Sequence, residues 1–266
     1  MTAVSELLCV IRGGGDLATG VAWRLTRAGA AVVVAELAQP LTVRRTVALS
    51  TAVPDRTVDI EGMVGCLAAD PDEAVEIARS GDVGVIVSPG LPRIGADVVV
   101  DARLAKRNID TTVDDAALVV ALGPGFTAGI DCHAVIETMR GHHLGRVLWD
   151  GAAAPDTGAP GVVGGQGVER VLRAPCAGSV RWDRDIGDLV AAGELLGAVD
   201  REEIRAPFAG VVRGAIARGT EVRAGLKIGD VDPREDAEAC WEISDKALAV
   251  GGGVVEAVLS WSSRSH

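Results

Sequence analysis

The chain has 266 residues, enough for one large domain or two ordinary ones, and 48% of them are hydrophobic. Its longest apolar stretches, such as Ala116 to Leu122, fall well short of the roughly 18 residues that a membrane span needs, so no span is expected. A net charge of −11 repels phosphate backbones and anionic lipid surfaces, which argues against nucleic-acid and membrane partners. Cys9, Cys66, Cys132, Cys176 and Cys240 form no C-x-x-C pair, and no basic leader precedes the first apolar run, so a soluble, cytoplasmic protein with free thiols is expected.

Residues 1–150 alternate strand and helix patterns, which predicts an α/β domain with a Rossmann-like, mostly parallel sheet. Leu8 to Ile11 is a short apolar run that meets Arg12-Gly13-Gly14-Gly15-Asp16, and a helical pattern through Leu17, Val21 and Leu25 follows. Ala31 to Ala35 is the next strand, ending at Glu36. Gly13, Gly15 and Ala18 fit G-x-G-x-x-G/A, with Gly14 between them, a pattern whose glycines let backbone N–H groups approach a pyrophosphate at a helix N-terminus. Glu36 stands where an acidic residue accepts from a ribose hydroxyl. Asp16 departs from the pattern: beside a phosphate it is repulsive unless it caps the helix. Glycines serving chain geometry alone are the alternative.

Arg44 and Arg45 follow at the expected carboxyl edge of the sheet, either as a phosphate clamp or as a solvated turn. Pro71 to Ser80 reads as a helix, and Val83 to Val87, Val98 to Asp101 and Leu118 to Leu122 as buried strands whose following loops line one crevice. The loop from Gly123 through Gly125 and Thr127 to Gly129 suggests a close backbone approach to a ligand. Beyond it a helix is expected to carry His133 and Glu137 on one face, forming with Asp131 either a proton-transfer or metal-binding cluster or a capped helix with a surface ion pair. No metal site is assigned. Cys132, near that helix start and beside His133, is the candidate reactive thiol, with a small buried hydrophobe as the alternative. Cys132 and His133 are thus the candidate catalytic pair.

A Gly/Pro/Ala-rich stretch, 151–167, reads as a linker. In residues 168–233 the segment from Arg173 to Val199 recurs from Arg205 to Val231, with about half the aligned positions identical. The repeated R-A-P-x-A-G-x-V-R and G-x-x-V-x-A-G predict paired strands in each copy and a small β-sandwich from the two. The duplication resembles the biotinyl and lipoyl carrier domain, but the hairpin from Gly197 to Glu203 holds no lysine, so no covalent biotin or lipoate is expected. Residues 234–266 predict a strand-like end near Trp241 and an apolar helix, Val254 to Leu259, with Gly251-Gly252-Gly253 as a bend or a backbone approach rather than continuous helix.

Taken together, IRGGGDLATGVAWRL, VRRTV, VDARLAKRN, LGPGFTAGID, VIETMRGHHLGRV, RVLRAP, GLKIGDVDPR and ISDKALAVGGGVVEAVL resemble the accessory protein family of the selenium-dependent molybdenum hydroxylase system. The resemblance covers Val10 to about Leu259 and implies a role in maturing or activating such a hydroxylase, in company with its maturation proteins and a molybdopterin dinucleotide cofactor. It implies no settled reaction and leaves homo-oligomerisation open. An NAD(P)-dependent oxidoreductase, using Glu36 for the ribose and Lys106 or His133 as acid-base group, and a non-catalytic docking adaptor are the alternatives.

Overall fold

A computed structural model describes residues 3–158 and 165–264. Among the described residues the chain divides into two units. The first takes in residues up to Pro40, Ala48–Asp156 and those from Ile243 on, and the second Leu41–Val47 and Thr157–Glu242.

In the first unit, β1 (Leu8–Arg12) is buried along its whole length, and the glycine turn lets the chain enter α1 (Asp16–Arg27) at once. The helix buries Leu17, Ala18, Val21, Ala22 and Leu25 on one face, and Gly29 at φ 96° turns the chain into β2 (Ala31–Glu36). A short helix, α2 (Ala52–Asp55), leads to the antiparallel pair β3 (Thr57–Ile60) and β4 (Met63–Ala68). Then α3 (Pro71–Ser80) starts with Asp70 accepting from the Glu73 N–H at 2.9 Å and stops at left-handed Gly81. β5 (Val83–Val87), β6 (Val98–Asp101), β7 (Leu118–Leu122), β8 (Thr127–Ala128), β9 (Ala134–Ile136), β10 (Val147–Leu148) and β11 (Gly151–Ala152) follow.

The main sheet has nine strands in the order β10-β9-β7-β6-β1-β2-β5-β4-β3. It is mixed: β9 with β10 and β4 with β3 are antiparallel, and the pairs between β4 and β9 are parallel. This corrects the expected fold class. The α/β reading holds, but β4 lies outside β5, and the β6-to-β7 and β7-to-β9 connections carry no α-helix, so the sheet is not the predicted Rossmann-like one. Nor does a biotinyl/lipoyl-like barrel follow it as a contiguous domain, because the second unit is completed by residues 41–47 and the chain then returns to the first unit.

The second unit contains β12 (Val171–Arg173), β13 (Gly178–Trp182), β14 (Leu189–Val190), β15 (Leu195–Val199), β16 (Glu202–Arg205), β17 (Gly210–Ala215), β18 (Glu221–Val222) and β19 (Lys227–Asp232). They form two four-stranded sheets, β12-β19-β17-β14 and β16-β15-β13-β18. Moving each strand to its counterpart in the other repeat converts one sheet order into the other, so each sheet draws strands from both copies. Trp182, Leu196, Val212, Ile216 and Ile228 fill the space between them. The indole N–H of Trp182 donates to the Ile216 carbonyl at 2.9 Å, so this large side chain is buried with its polar atom satisfied.

The chain closes with α4 (Asp245–Arg264), one continuous helix in the first unit. The expected bend at Gly251-Gly252-Gly253 is therefore corrected, whereas the close backbone approach is found: a Cβ on Gly251 would strike the Gly20 carbonyl of α1. Of the expected linker 151–167, Gly151–Ala152 is a strand paired with β8, and residues 159–164 lie outside the described residues. The expected tail 234–266 is split, with residues up to Glu242 in the second unit. No helix among the described residues is long and apolar enough to cross a membrane.

Candidate functional site

The carboxyl ends of parallel strands β1 and β6 are adjacent, and the chain's direction of travel across the sheet reverses there, the position at which open α/β sheets form ligand crevices. Gly13 has φ 93°, and its missing Cβ makes room for the Ala102 carbonyl after β6. A Cβ on Gly14 would come within 2.8 Å of the Ser50 nitrogen, and Gly15 is the N-cap of α1, with Asp16 accepting from the Leu17 N–H at 2.9 Å. Glu36 turns back onto the turn: one carboxylate oxygen accepts from the Gly14 N–H at 3.1 Å and the other from the Leu37 N–H. Ala18 is buried in the first turn of α1. Gly13 and Gly14 are thus required by packing against the protein's own backbone, and Glu36 is committed to the turn.

Beside the turn lies a polar network that sequence reading did not assemble. Arg12, 3% exposed, donates from Nη1 to Thr111 Oγ1 at 2.8 Å and from Nη2 to Asp110 Oδ1 at 2.7 Å. Arg103 grips Asp101 through Nε and Nη2, and its Nη1 meets the same Asp110 oxygen at 2.8 Å. Asp101, 1% exposed, also accepts from Thr111 Oγ1 at 2.7 Å. Asn108 Nδ2 donates to the Thr111 carbonyl at 2.8 Å and to Asp131 at 3.0 Å, and Asp131 also accepts from the Thr127 N–H at 2.7 Å. The loops after β6 and β7 are therefore tied to each other, with the Asn108 N–H also donating to the Gly125 carbonyl at 2.9 Å. Burial pushes the Asp110 carboxyl up, but hydrogen bonds from Arg103 and Arg12 outweigh it and hold the group below its ordinary value.

Lys246, in the first turn of α4, is a further residue that sequence reading did not single out. Burial lowers its pKa and Arg140 adds to that, against the opposing charges of Asp16, Glu137 and Asp245. Its sequence signal was scarcity, since Lys106 and Lys227 are the only other lysines. Glu137 accepts from the Met139 N–H and the Ala154 N–H, both at 2.7 Å.

The remaining sequence candidates fall elsewhere or serve the scaffold. Arg44 and Arg45 belong to the second unit, whereas the glycine turn belongs to the first. Arg44 donates to the Ala239 and Glu242 carbonyls at 3.2 Å, and Arg45 to the Ala215 carbonyl at 2.7 Å and to Asp185 at 2.8 Å. Gly123 and Gly125 both have positive φ, and their Cβ atoms would strike Thr138 and the Arg107 backbone, so their close approaches are internal. The expected helix carrying His133 and Glu137 is instead β9, because Ala134-Val135-Ile136 is buried and pairs with β7. The two side chains are therefore not an adjacent helical pair.

His133 extends that pairing: its imidazole Nδ1 accepts from the Val119 N–H at 3.0 Å, while its backbone N–H donates to the Val119 carbonyl at 2.8 Å. Cys132 is fully buried, and burial together with Asp131 pushes its thiol up to about 12. The geometry thus corrects the catalytic pair: the thiol is neutral and enclosed, and the imidazole has a backbone partner. Iodoacetamide at pH 8 is expected to leave Cys9, Cys132 and Cys240 unmodified in the folded protein and to label all five cysteines after denaturation, read by peptide mass spectrometry. Labelling of native Cys132 within minutes would restore the reactive-thiol reading. Among the described residues no group of three or more His, Cys, Asp or Glu is arranged to hold a metal ion.

No protein-family model matches the chain. Over 255 residues it is 47% identical to the uncharacterized protein YqeB of Escherichia coli (strain K12), covering 95% of this chain and 47% of that protein. The chain thus spans about half the length of the curated relative it matches. Among solved structures it is similar to the ectoine utilization protein EutE of Ruegeria pomeroyi, at 12% identity and a TM-score of 0.23 over 85% of this chain and 84% of that one. It is also similar to an aspartoacylase family protein of Mesorhizobium loti, at 11% identity and a TM-score of 0.27 over 84% of each chain.

Proposed function

We propose that the protein is an accessory factor for the maturation of a selenium-dependent molybdenum hydroxylase, and that it holds a phosphate-bearing cofactor of the molybdopterin dinucleotide class. The observation that carries the binding half of this reading is the convergence of Arg12 and Arg103 beside the α1 N-terminus at the β1/β6 switch point. The hydroxylase half comes from the sequence resemblance. The donor chemistry suits the phosphates of such a cofactor: two guanidinium groups and a helix start supply oriented N–H donors. Handling rather than chemistry is favoured, since Cys132 and His133 are both engaged in the scaffold.

Against the NAD(P)-dependent alternative stands Glu36, whose two oxygens already accept backbone N–H groups instead of facing a ribose. Exposed Leu37, Val87 and Leu104, each at or just after the carboxyl end of β2, β5 or β6, suit a protein partner that receives the held ligand, here the hydroxylase or another maturation protein. A cytoplasmic setting fits the five free cysteines. Titrating anaerobically purified protein with molybdopterin cytosine dinucleotide, followed by calorimetry and cofactor fluorescence, is expected to show saturable one-to-one binding. Absence of binding to the wild-type protein overturns the cofactor-handling reading.

A further inference from the structure

We propose that Arg12 and Arg103 form a seat for a phosphoryl oxyanion and that Asp110 fills this seat in the free protein as a built-in stand-in for the ligand. Arg12 Nη1 is taken by Thr111, and Arg103 Nε and Nη2 are taken by Asp101. The other terminal nitrogen of each guanidinium, Arg12 Nη2 and Arg103 Nη1, meets a single oxygen, Asp110 Oδ1, at 2.7 and 2.8 Å. One guanidinium from the end of β1 and one from the loop after β6 thus converge on one oxygen, and guanidinium N–H groups are well suited to grip a phosphoryl group.

The seat has a fixed back and a movable front. Arg12 is 3% exposed and ends a fully buried strand, and Asp101 behind Arg103 is 1% exposed, whereas Asp110 is 49% exposed. Asn108 and Thr111 anchor the chain on either side, the Thr111 N–H donating to Asn108 Oδ1 at 2.9 Å and the Asn108 N–H to the Gly125 carbonyl at 2.9 Å. Rotation of one half-exposed side chain therefore opens the seat without moving the loop. Asp101 and Asp115, the latter 3.8 Å from Arg12, leave the opened seat close to neutral. An incoming dianion gains from two oriented donors, not from a large field, and must displace a carboxylate to do so. Weak binding in the wild type and stronger binding without Asp110 is the signature. The inference rests on the proposed function in giving the ligand's phosphates a place, and inorganic pyrophosphate tests the seat whether or not the dinucleotide binds.

Calorimetric titration with pyrophosphate is expected to give D110A at least tenfold tighter binding than the wild type, and the D110A/R103Q double variant should lose that gain. Equal affinity of D110A and wild type, or undiminished binding by the double variant, overturns the proposal. Cytidine diphosphate separates the sources of the anion: tighter binding than pyrophosphate to D110A assigns the seat to a nucleotide, equal binding to a free diphosphate, and both support the seat. A measurement on the unaltered protein guards against misfolding of the variants. Saturating pyrophosphate should slow phenylglyoxal modification of Arg103, followed by peptide mass spectrometry, and an Arg103 that is equally reactive with and without pyrophosphate overturns the proposal.

Discussion

Replacing Gly20 in α1 by leucine is expected to lower the melting temperature by roughly 5–10 °C, whereas Gly252→Ala in α4 should leave it unchanged or raise it by up to about 4 °C. The contrast comes from what each missing Cβ faces. At Gly20 it would lie under 3.0 Å from the carbonyl carbon, carbonyl oxygen and Cβ of Ala247, and at Gly251 it would strike the Gly20 carbonyl, so the two helices touch backbone to backbone. Nothing flexible can yield at such a contact. A side chain there must push α4 off α1, and Val21, Ala22, Ala247, Val250 and Val254, all buried, then lose part of their packing. Overpacking of this kind costs about 1–3 kcal/mol, and more where only backbone can move. Gly252 points to open space, so alanine there brings only its helix preference, about 1 kcal/mol. Thermal melts followed by circular dichroism check both, and equal melting temperatures for the two variants would remove the close-contact account.

The same glycines show where sequence reading stops. Gly251-Gly252-Gly253 argues locally against helix, and only the partner helix more than two hundred residues away reveals that Gly251 permits an approach worth more than the propensity lost. Val83–Val87, Val98–Asp101, Leu118–Leu122 and the α3 boundaries were legible because apolar runs covered on both faces and a Pro-led, Asp-capped helix declare themselves locally. The duplication was legible for the same reason: each copy carries its own strand and turn signals. Ala134–Ile136 was not, since a three-residue strand is decided by its pairing with β7 and by the His133 bonds to Val119, not by its own pattern.

At the site, the strand, glycine turn and helix were readable, but their partners were not. Nothing adjacent in sequence tells that Arg12 meets Asp110 and Thr111, or that Glu36 closes onto Gly14. Arg44 and Arg45 failed in the opposite way. Their charge and position suggested a clamp, yet the segment Leu41–Val47 belongs to the second unit, where the Ala215 N–H donates to the Val43 carbonyl at 2.9 Å and a Cβ on Gly214 would press on Val43. A short run can leave one unit, complete another and return without any change in composition to mark it.

Within the network, Asp101→Asn is expected to destabilise by about 3 kcal/mol, a fall of roughly 6–12 °C in melting temperature, because removing one partner of a buried pair leaves the other uncompensated. Asp101 collects the Arg103 Nε and Nη2 donors, the Arg103 N–H at 3.1 Å and the Thr111 hydroxyl. Asparagine offers one oxygen where two accept, and its amide N–H₂ replaces an acceptor of the Arg103 N–H groups, which cannot accept in turn. Asp110→Ala should cost far less at neutral pH, since that carboxylate is half exposed and its pairing is screened. Acid separates the two further. The Asp110 carboxyl is held below its ordinary 3.8 in the folded protein, so its contribution is complete above that value and is lost as pH falls through the lower folded value. The stability gap between wild type and D110A should therefore narrow as the pH falls below 3.8. If D110A proves as damaging as D101N at pH 7, Asp110 is part of the fixed frame and cannot rotate away. A small cost at Asp110 beside a large one at Asp101 is what a rigid seat with a removable occupant requires, and denaturant titrations of the three proteins at pH 7 and pH 3 measure it.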